Sequence, residues 1–293
     1  MREVGRFALE NKNVLDLRRG QLVNPFHIKS VIKYIVSRQN EDGGYSFVQG
    51  AESNAQDTHY GLATLRMLDS PFPNIAKTVK WLLELNLDSI YSYYYVTKAL
   101  VLCGERLNDR FKEYVISTIS SGIHFGTEDV YVEVSSEFEL TFMVLELANM
   151  LNVKYDSDEV KKWIFKLKNA DGGFGAHRHS NINSTYYAVA SLNFLNYNVN
   201  MLHDTKTFLR ECEKPYGGFT IIPRSLMPYM EHTYYGVMTL NLLGESCRFP
   251  SQTADFVLRC QNANGGFARS DSGISTFENT FQAVSILQKL GFL

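Results

Sequence analysis

The feature of this 293-residue chain that most constrains its fold is a pattern that occurs four times. In each copy two adjacent glycines precede an aromatic residue, and a threonine further along the chain opens an aromatic run. The first glycine and the threonine of each copy are Gly43 and Thr58, Gly172 and Thr185, Gly217 and Thr233, and Gly265 and Thr280. The last three copies recur at a nearly constant interval, and the longer interval before them leaves room for two more units. Six units of about 45 residues indicate a repeat architecture.

The two further units lack the paired glycines. Residues 75–85 followed by 92–96 match the second unit, and residues 111–119 followed by 139–142 match the third. The repeat therefore runs through the chain without a break, and the regular period argues against dividing it into two domains.

Each unit has the pattern of two helices. The first helix has one apolar face, as at Ile28, Val31 and Ile35, whereas the second, as at residues 185–194, is apolar on nearly all sides. A helix of the second kind must be buried all round. We therefore predict an all-α fold, an α6/α6 toroid with six inner helices inside six outer ones, over residues 25–293 after an N-terminal extension of residues 1–24. The final helix should pack beside the first inner helix and close the ring.

Charge and composition limit the classes of binding partner and the cell compartment that we expect for this protein. The net charge is −2 and the pI about 6.4, which favours neither nucleic acid nor an anionic membrane surface. No uncharged apolar run is long enough to cross a bilayer, and the start of the chain carries no signal-peptide core. The four cysteines have no paired spacing. We expect a cytoplasmic protein without a transmembrane segment.

Polar residues precede the threonine of each inner helix. Two positions before it stand Gln56, Asn183, Glu231 and Glu278, and one position before it stand Asp57, Ser184, His232 and Asn279. Because the inner helices of a toroid start at one end, these residues should form a rim around one mouth. Asp57 and Ser184 are equally well explained as helix N-caps. Glu231 and Glu278 are poorer caps, so we regard them, with Asp57 and with His232 as a polar partner, as catalytic candidates.

The Gly-Gly-aromatic turn, the Thr-aromatic inner helix and the count of six resemble the α/α toroid of protein prenyltransferase β subunits, squalene–hopene cyclases and class II terpene cyclases. The resemblance is clearest over residues 25–65 and 156–293. It implies a deep aromatic-lined barrel that receives an isoprenoid chain, and it leaves a helical partner subunit, like the prenyltransferase α subunit, as an open option.

The motifs that carry activity in those families are degenerate here. The prenyltransferase zinc site, Asp-x-Cys in the fifth unit and His in the sixth, is replaced by Glu231, Thr233 and Glu278, so zinc is not expected and the oxygen donors would suit Mg²⁺ as an optional cofactor. The cyclase motif Asp-x-Asp-Asp-Thr is nowhere intact. Glu231 and Glu278 nevertheless occupy its acid column, where an aromatic cavity should raise the carboxyl pKa.

Two further groups complete the candidate substrate site. The aromatic residues of the inner helices would line the barrel, and loop charges beside the same mouth would clamp a diphosphate. The lining candidates are Tyr60, Tyr186, Tyr234 and Phe281; the clamp candidates are His177, Arg178, Arg224 and Arg269.

The function indicated is therefore an isoprenoid-handling enzyme that binds a prenyl or polyprenyl diphosphate for prenyl transfer or cyclisation. One alternative is a non-catalytic toroid that binds a lipid or a partner. Another is a carbohydrate-active α6/α6 enzyme, against which Trp81 and Trp163 both fall on outer helices, away from the expected lumen.

Overall fold

The computed structural model describes residues 28–121 and 137–293, so the predicted extension of residues 1–24 lies outside the described residues. The described residues form twelve α-helices: α1 (Ile28–Val36), α2 (Ala55–Met67), α3 (Ile75–Glu84), α4 (Ile90–Leu102), α5 (Asp109–Ser120), α6 (Glu137–Met150), α7 (Ser157–Lys166), α8 (Ile182–Phe194), α9 (His203–Cys212), α10 (Met230–Leu242), α11 (Pro250–Arg259) and α12 (Phe277–Lys289). Two 3₁₀ turns (Ala176–Arg178 and Val199–Met201) and one antiparallel pair, β1 (Phe267–Ala268) with β2 (Ser275–Thr276), accompany them. None of the described helices has the length and apolarity needed to cross a bilayer.

The even-numbered helices form a closed inner ring. Each packs on the next from α2 through α12, and α12 packs back on α2. The junction between the first and last units is also tied on the outside, where the Tyr34 hydroxyl of α1 donates to the Ser275 carbonyl at 3.0 Å. The predicted α6/α6 toroid and its ring closure are confirmed.

Burial separates the two rings as their sequence patterns predict. The outer helix α1 buries only Val31, Tyr34 and Ile35 of its nine residues. The inner helix α10 buries eight of thirteen, which lie on several sides of the helix. Trp81 on α3 and Trp163 on α7 confirm that both tryptophans belong to outer helices.

The repeated glycine and threonine together fix the connection between a turn, the inner helix that follows it and the next outer helix. We call this connection the joint. The first glycine has a positive φ, as at Gly217 (100°) and Gly265 (93°), and a Cβ there would collide with the backbone of the next outer helix. The threonine hydroxyl accepts the amide of the aromatic residue that follows the glycines, as from Phe219 to Thr233 at 3.1 Å, and donates to the carbonyl four residues earlier. The same bonds occur at Thr58, Thr185 and Thr280. The pattern thus joins an inner helix, its turn and the next unit.

The inner helices begin earlier than the aromatic runs suggest. The N-caps are Asn54 and Asn181, whose side chains accept the amides of Asp57 and Ser184 at 2.8 Å. The alternative that Asp57 and Ser184 are themselves caps is therefore wrong, because both lie in the first helical turn. The Asp57 carboxylate instead accepts from the Phe47 amide at 3.1 Å and from the Asn54 side chain.

Candidate functional site

Within the part of the inner ring that the structure describes, one cavity lies above another. A rim cavity of about 830 Å³ lies at the N-terminal ends of the inner helices, and a lumen cavity of about 280 Å³ lies deeper along them. Tyr95, Tyr187 and Tyr235 line both cavities and so mark the boundary.

The rim cavity collects the residue two positions before the threonine column from all six inner helices, with Tyr93 and Thr141 at the column position of the second and third units. These residues are Gln56, Tyr91, Glu139, Asn183, Glu231 and Glu278. Asp57 lines the same cavity, so four carboxyl groups surround it. Arg269 is the one cationic side chain among the described residues that line it. The mouth is therefore predominantly acidic.

Arg269 is already engaged by Glu231. Its Nη2 and Nε atoms lie 2.5 and 2.6 Å from Glu231 Oε1, and its guanidinium stacks 4.1 Å above the Tyr229 ring. The other carboxylate oxygen, Glu231 Oε2, is buried with no partner among the described residues. His232 Nε2 lies 3.7 Å from Glu231 Oε1, yet burial, opposed by Glu231 and assisted by Arg269, lowers the His232 pKa, so the imidazole is neutral at neutral pH.

Glu278 differs from Glu231 in its surroundings. It accepts a hydrogen bond from the Gln282 amide at 3.2 Å. Burial raises the pKa of Glu278 to about 7, with further increases from the charges of Glu139, Glu231 and Asp57. Glu278 therefore exchanges its proton close to neutral pH. This agrees with the raised carboxyl pKa expected in the acid column.

Two neighbouring carboxyl groups, those of Glu139 and Asp57, contribute to the raised pKa of Glu278. Burial raises the pKa of Glu139, although the Tyr187 hydroxyl, which donates to Glu139 Oε1 at 2.9 Å, opposes the shift. Burial also raises the pKa of Asp57, opposed by its bonds from Asn54 and Phe47. Clustered, partly buried carboxyl groups in one cavity favour shared protonation.

The four predicted lining aromatics, Tyr60, Tyr186, Tyr234 and Phe281, lie in the wall of the lumen cavity. Their rings are in mutual contact, with centroids 5.2 Å apart for Tyr60 and Phe281 and 6.0 Å apart for Tyr186 and Tyr234. Burial raises the phenol pKa values of the three tyrosines, so their hydroxyls stay neutral.

Hydroxyl pairs cross the boundary between the cavities. The Tyr60 and Tyr95 hydroxyl oxygens lie 3.4 Å apart, and those of Tyr187 and Tyr235 lie 2.9 Å apart. We call Tyr60, Tyr95, Tyr187 and Tyr235 the tyrosine layer. Three of its four members line both cavities, so the layer lies where the rim cavity meets the lumen cavity.

The structure brings one of the four loop candidates for a diphosphate clamp into the rim cavity. Arg269 lines it, whereas His177, Arg178 and Arg224 are not among the described residues that line it. His177 and Arg178 lie exposed in a short turn with positive φ values of 51° and 63°. This turn gives the loop that carries His177 and Arg178 a local conformation that the sequence pattern does not predict.

Three cavity residues were missed by the sequence analysis. Glu139, in the rim cavity, stands two positions before Thr141, in the same column as Glu231, and that spacing could have identified it. Lys98 and Glu146 line the lumen cavity five positions beyond the threonine column. Each is the one charged residue of its inner helix beyond the column position, and that was the available signal.

The described side chains do not form the donor set of a metal site. No group of three or more His, Cys, Asp or Glu side chains within residues 28–121 and 137–293 is placed to hold an ion. Thr233, in the position of the prenyltransferase thiolate, uses its hydroxyl in the joint with Phe219 and Tyr229.

These features define an α/α toroid with an acidic mouth and an aromatic lumen. Residues 13–91 and 119–292 match the family of the prenyltransferase alpha-alpha toroid domain. The chain belongs to this family. No curated protein sequence matches it.

Two solved structures are similar in fold. Protein geranylgeranyltransferase-I from Candida albicans, complexed with GGPP, is 16% identical with a TM-score of 0.74, over 92% of each chain. A single-substitution variant of the type II terpene cyclase MstE from Scytonema, in complex with geranylgeranyl dihydroxybenzoate, is 10% identical with a TM-score of 0.59, over 91% of this chain and 97% of the cyclase.

Proposed function

We propose that this protein binds an isoprenoid in the lumen and that Glu278 protonates a carbon–carbon double bond of it to start a cyclisation. The observation that carries the proposal is the position of Glu278, a partly protonated carboxyl group between an acidic rim and an aromatic lumen. The ligands named for the two similar structures, GGPP and geranylgeranyl dihydroxybenzoate, support the isoprenoid class.

The charge of the rim favours a neutral isoprenoid over a free diphosphate. Asp57, Glu139, Glu231 and Glu278 face the cavity, and the guanidinium of Arg269 is held by Glu231. A diphosphate would have to displace Glu231 from Arg269 and approach three further carboxyl groups. An alcohol or ester headgroup meets no such repulsion. Diphosphate binding through Arg178 and Arg224 stays a prediction from the sequence.

The step needs no other reactant. The Glu278 carboxyl gives its proton to one alkene carbon, the π electrons form the new C–H bond, and the other carbon becomes a tertiary cation beside the Glu278 carboxylate. A second double bond of the same chain attacks the cation and forms a ring. Loss of a proton to water or to a rim carboxylate ends the reaction, and Glu278 regains a proton from solvent.

The lumen wall supplies the remaining contribution. The rings of Tyr60, Tyr186, Tyr234 and Phe281 lie where a cation formed below Glu278 would travel, and aromatic faces stabilise cations. Neutral phenols also do not capture a proton from the acid. We assign Asp57, Glu139 and Glu231 the task of holding the Glu278 pKa near neutrality, with His232 as the neutral neighbour of Glu231.

The test is turnover in deuterium oxide. Purified protein is incubated with farnesol, geranylgeraniol and their diphosphates, and the products are analysed by mass spectrometry. Protonation by Glu278 predicts a cyclic product with one deuterium on carbon, and Glu278→Gln should abolish turnover while retaining binding. Glu211→Gln, at an exposed position, is the matched control. Full turnover in Glu278→Gln would refute the acid role, and binding of these ligands without turnover by the wild type would favour the non-catalytic lipid-binding toroid.

The carbohydrate-active alternative receives less support. The lumen cavity is lined by tyrosine and phenylalanine rings, and neither tryptophan is among its lining residues in the described part of the chain. Trp163 packs on Phe138 with ring centroids 5.2 Å apart. An oligosaccharide panel run beside the isoprenoids tests this alternative directly.

A further inference from the structure

An ion pair lies inside the lumen, away from the acid. Lys98 of α4 places Nζ 2.8 Å from Oε1 of Glu146 on α6. The Lys98 ammonium also donates to the Tyr94 hydroxyl at 3.1 Å, and that hydroxyl donates to Glu146 Oε2. All three side chains line the lumen cavity. We call them the lysine–glutamate cluster.

The cluster is unfavourable as a purely structural feature. An ion pair surrounded by rings loses hydration, and replacing such a pair with apolar residues of similar volume is often neutral or stabilising. Neither inner helix needs the pair for closure, because the ring is packed through apolar side chains such as Val96, Leu100 and Leu145. Lys98 and Glu146 also keep 24% and 18% of their side-chain surfaces accessible. They are accessible charged groups in the wall of a cavity.

One hydrogen-bond donor of the Lys98 ammonium group has no acceptor among the described residues. An ammonium group has three donors, and the described residues supply Lys98 with two acceptors, Glu146 Oε1 and Tyr94 Oη. A saturated or branched hydrocarbon end placed against Lys98 would remove water from the third donor without replacing its hydrogen bond. A ligand oxygen would satisfy it.

The lysine–glutamate cluster lies far enough along the barrel from Glu278 to meet the distal end of a bound isoprenoid chain. Glu278 is two positions before its threonine and Lys98 is five positions beyond the same column, a difference of seven positions. At about 1.5 Å per helical residue the separation along the barrel axis is about 10 Å. A chain whose double bond lies beside Glu278 and whose remainder enters the lumen therefore ends near Lys98.

We propose that the lysine–glutamate cluster recognises an oxygen atom, of a hydroxyl or a carbonyl group, at the distal end of the isoprenoid. The inference rests on the proposed function, since it takes the lumen as the isoprenoid site. It names Lys98 and Glu146 as specificity-determining residues: Lys98 donates to the ligand oxygen, and Glu146 accepts from a ligand hydroxyl.

The test compares two ligands that differ at one end. Farnesol and its terminally hydroxylated derivative are titrated into the full-length protein by isothermal calorimetry. Since hydrogen bonds to charged groups correspond to about a tenfold or larger difference in affinity, the wild type should bind the hydroxylated ligand at least about tenfold more tightly. Lys98→Met/Glu146→Leu should lose or reverse this preference. The matched control is Lys206→Met/Glu245→Leu, which removes a pair of similar length, 3.1 Å, that does not line the lumen.

The outcomes separate this inference from the proposed function. Equal affinity of the wild type for both ligands, or an unchanged preference in the Lys98 double variant, overturns the inference and leaves the isoprenoid site intact. Failure of both ligands to bind overturns both proposals. If the double variant does not fold, nitrogen NMR of the wild-type lysine ammonium groups decides: one signal should shift with the hydroxylated ligand and not with farnesol, and the absence of that difference overturns the inference.

Discussion

Replacing Glu278 with glutamine should change the pH dependence of stability in a direction that its surroundings dictate. The folded protein raises the Glu278 pKa from the ordinary 4.5 to about 7, first by burial and then by neighbouring carboxyl groups. Between these two values the folded state holds a proton that the unfolded chain has released. The contribution of Glu278 to the free energy of unfolding therefore falls as the pH rises from about 4.5 to about 7.

The size of the effect follows from the same two values. The difference between the two pKa values corresponds to about 3 kcal/mol in the free energy of unfolding. This amount is fully lost once the pH exceeds the folded-state pKa of Glu278. Glutamine has nearly the same shape and does not ionise. Glu278→Gln should therefore be close to the wild type in stability near pH 4.5 and more stable by up to about 3 kcal/mol above pH 7.

Urea unfolding followed by circular dichroism, at half-unit steps across this range, measures the difference. The difference between the two curves isolates Glu278, because Glu139 and Asp57, whose pKa values burial raises, and His59 and His232, whose pKa values burial lowers, titrate in both proteins. Glu211→Gln, at an exposed position, should run parallel to the wild type. Parallel curves for wild type and Glu278→Gln would show that Glu278 is ionised at neutral pH in the folded state, which would refute the reasoning behind the acid role.

Three further predictions address the metal, the ring and the joint. Protein purified without chelator should contain little zinc by mass spectrometry, because oxygen donors stand where the thiolate and imidazole of the prenyltransferases stand; stoichiometric zinc that disappears in Glu231→Ala would contradict this. Deleting residues 250–293 should unfold the chain, since the ring loses two interfaces, and a cooperative thermal transition in the truncated protein would show that the ring is dispensable. Thr185→Val should lower the free energy of unfolding by about 1–3 kcal/mol, because the buried Phe174 amide loses its acceptor. Thr64→Val loses only a bond within its own helix and should lower it less. Equal losses in urea titrations would argue against the joint.

The fold could be predicted in detail because its determinants are local and recur. The glycine that permits the turn and the threonine that binds the turn amide lie within one unit, so four copies report the same joint. Apolar faces on the outer helices and all-round apolar surfaces on the inner helices then leave one arrangement that buries both. The starts of the inner helices were placed a turn late because aromatic side chains, rather than the caps at Asn54 and Asn181, marked them in the sequence.

The site could be predicted only as far as helix ends determine it. The rim column follows from helical spacing, so Glu231 and Glu278 were found together, and their common cavity follows from the ring. Spacing says nothing about loop paths. Arg269 folds back to Glu231, while Arg178 and Arg224 stay on loops of their own units, outside the lining of the rim cavity.

The sequence alone determined which residue types line the ring, because a period of about 45 residues and helical spacing assign each position a ring, a depth and a face. Only the tertiary structure decided which of them act as pairs. It separated two acids of one column by giving Glu231 a guanidinium and Glu278 a partly buried, acidic neighbourhood, and it joined Lys98 to Glu146 across two helices. The physical reason is that burial and charge coupling depend on distances between separate units, and a repeat pattern specifies distances only within one.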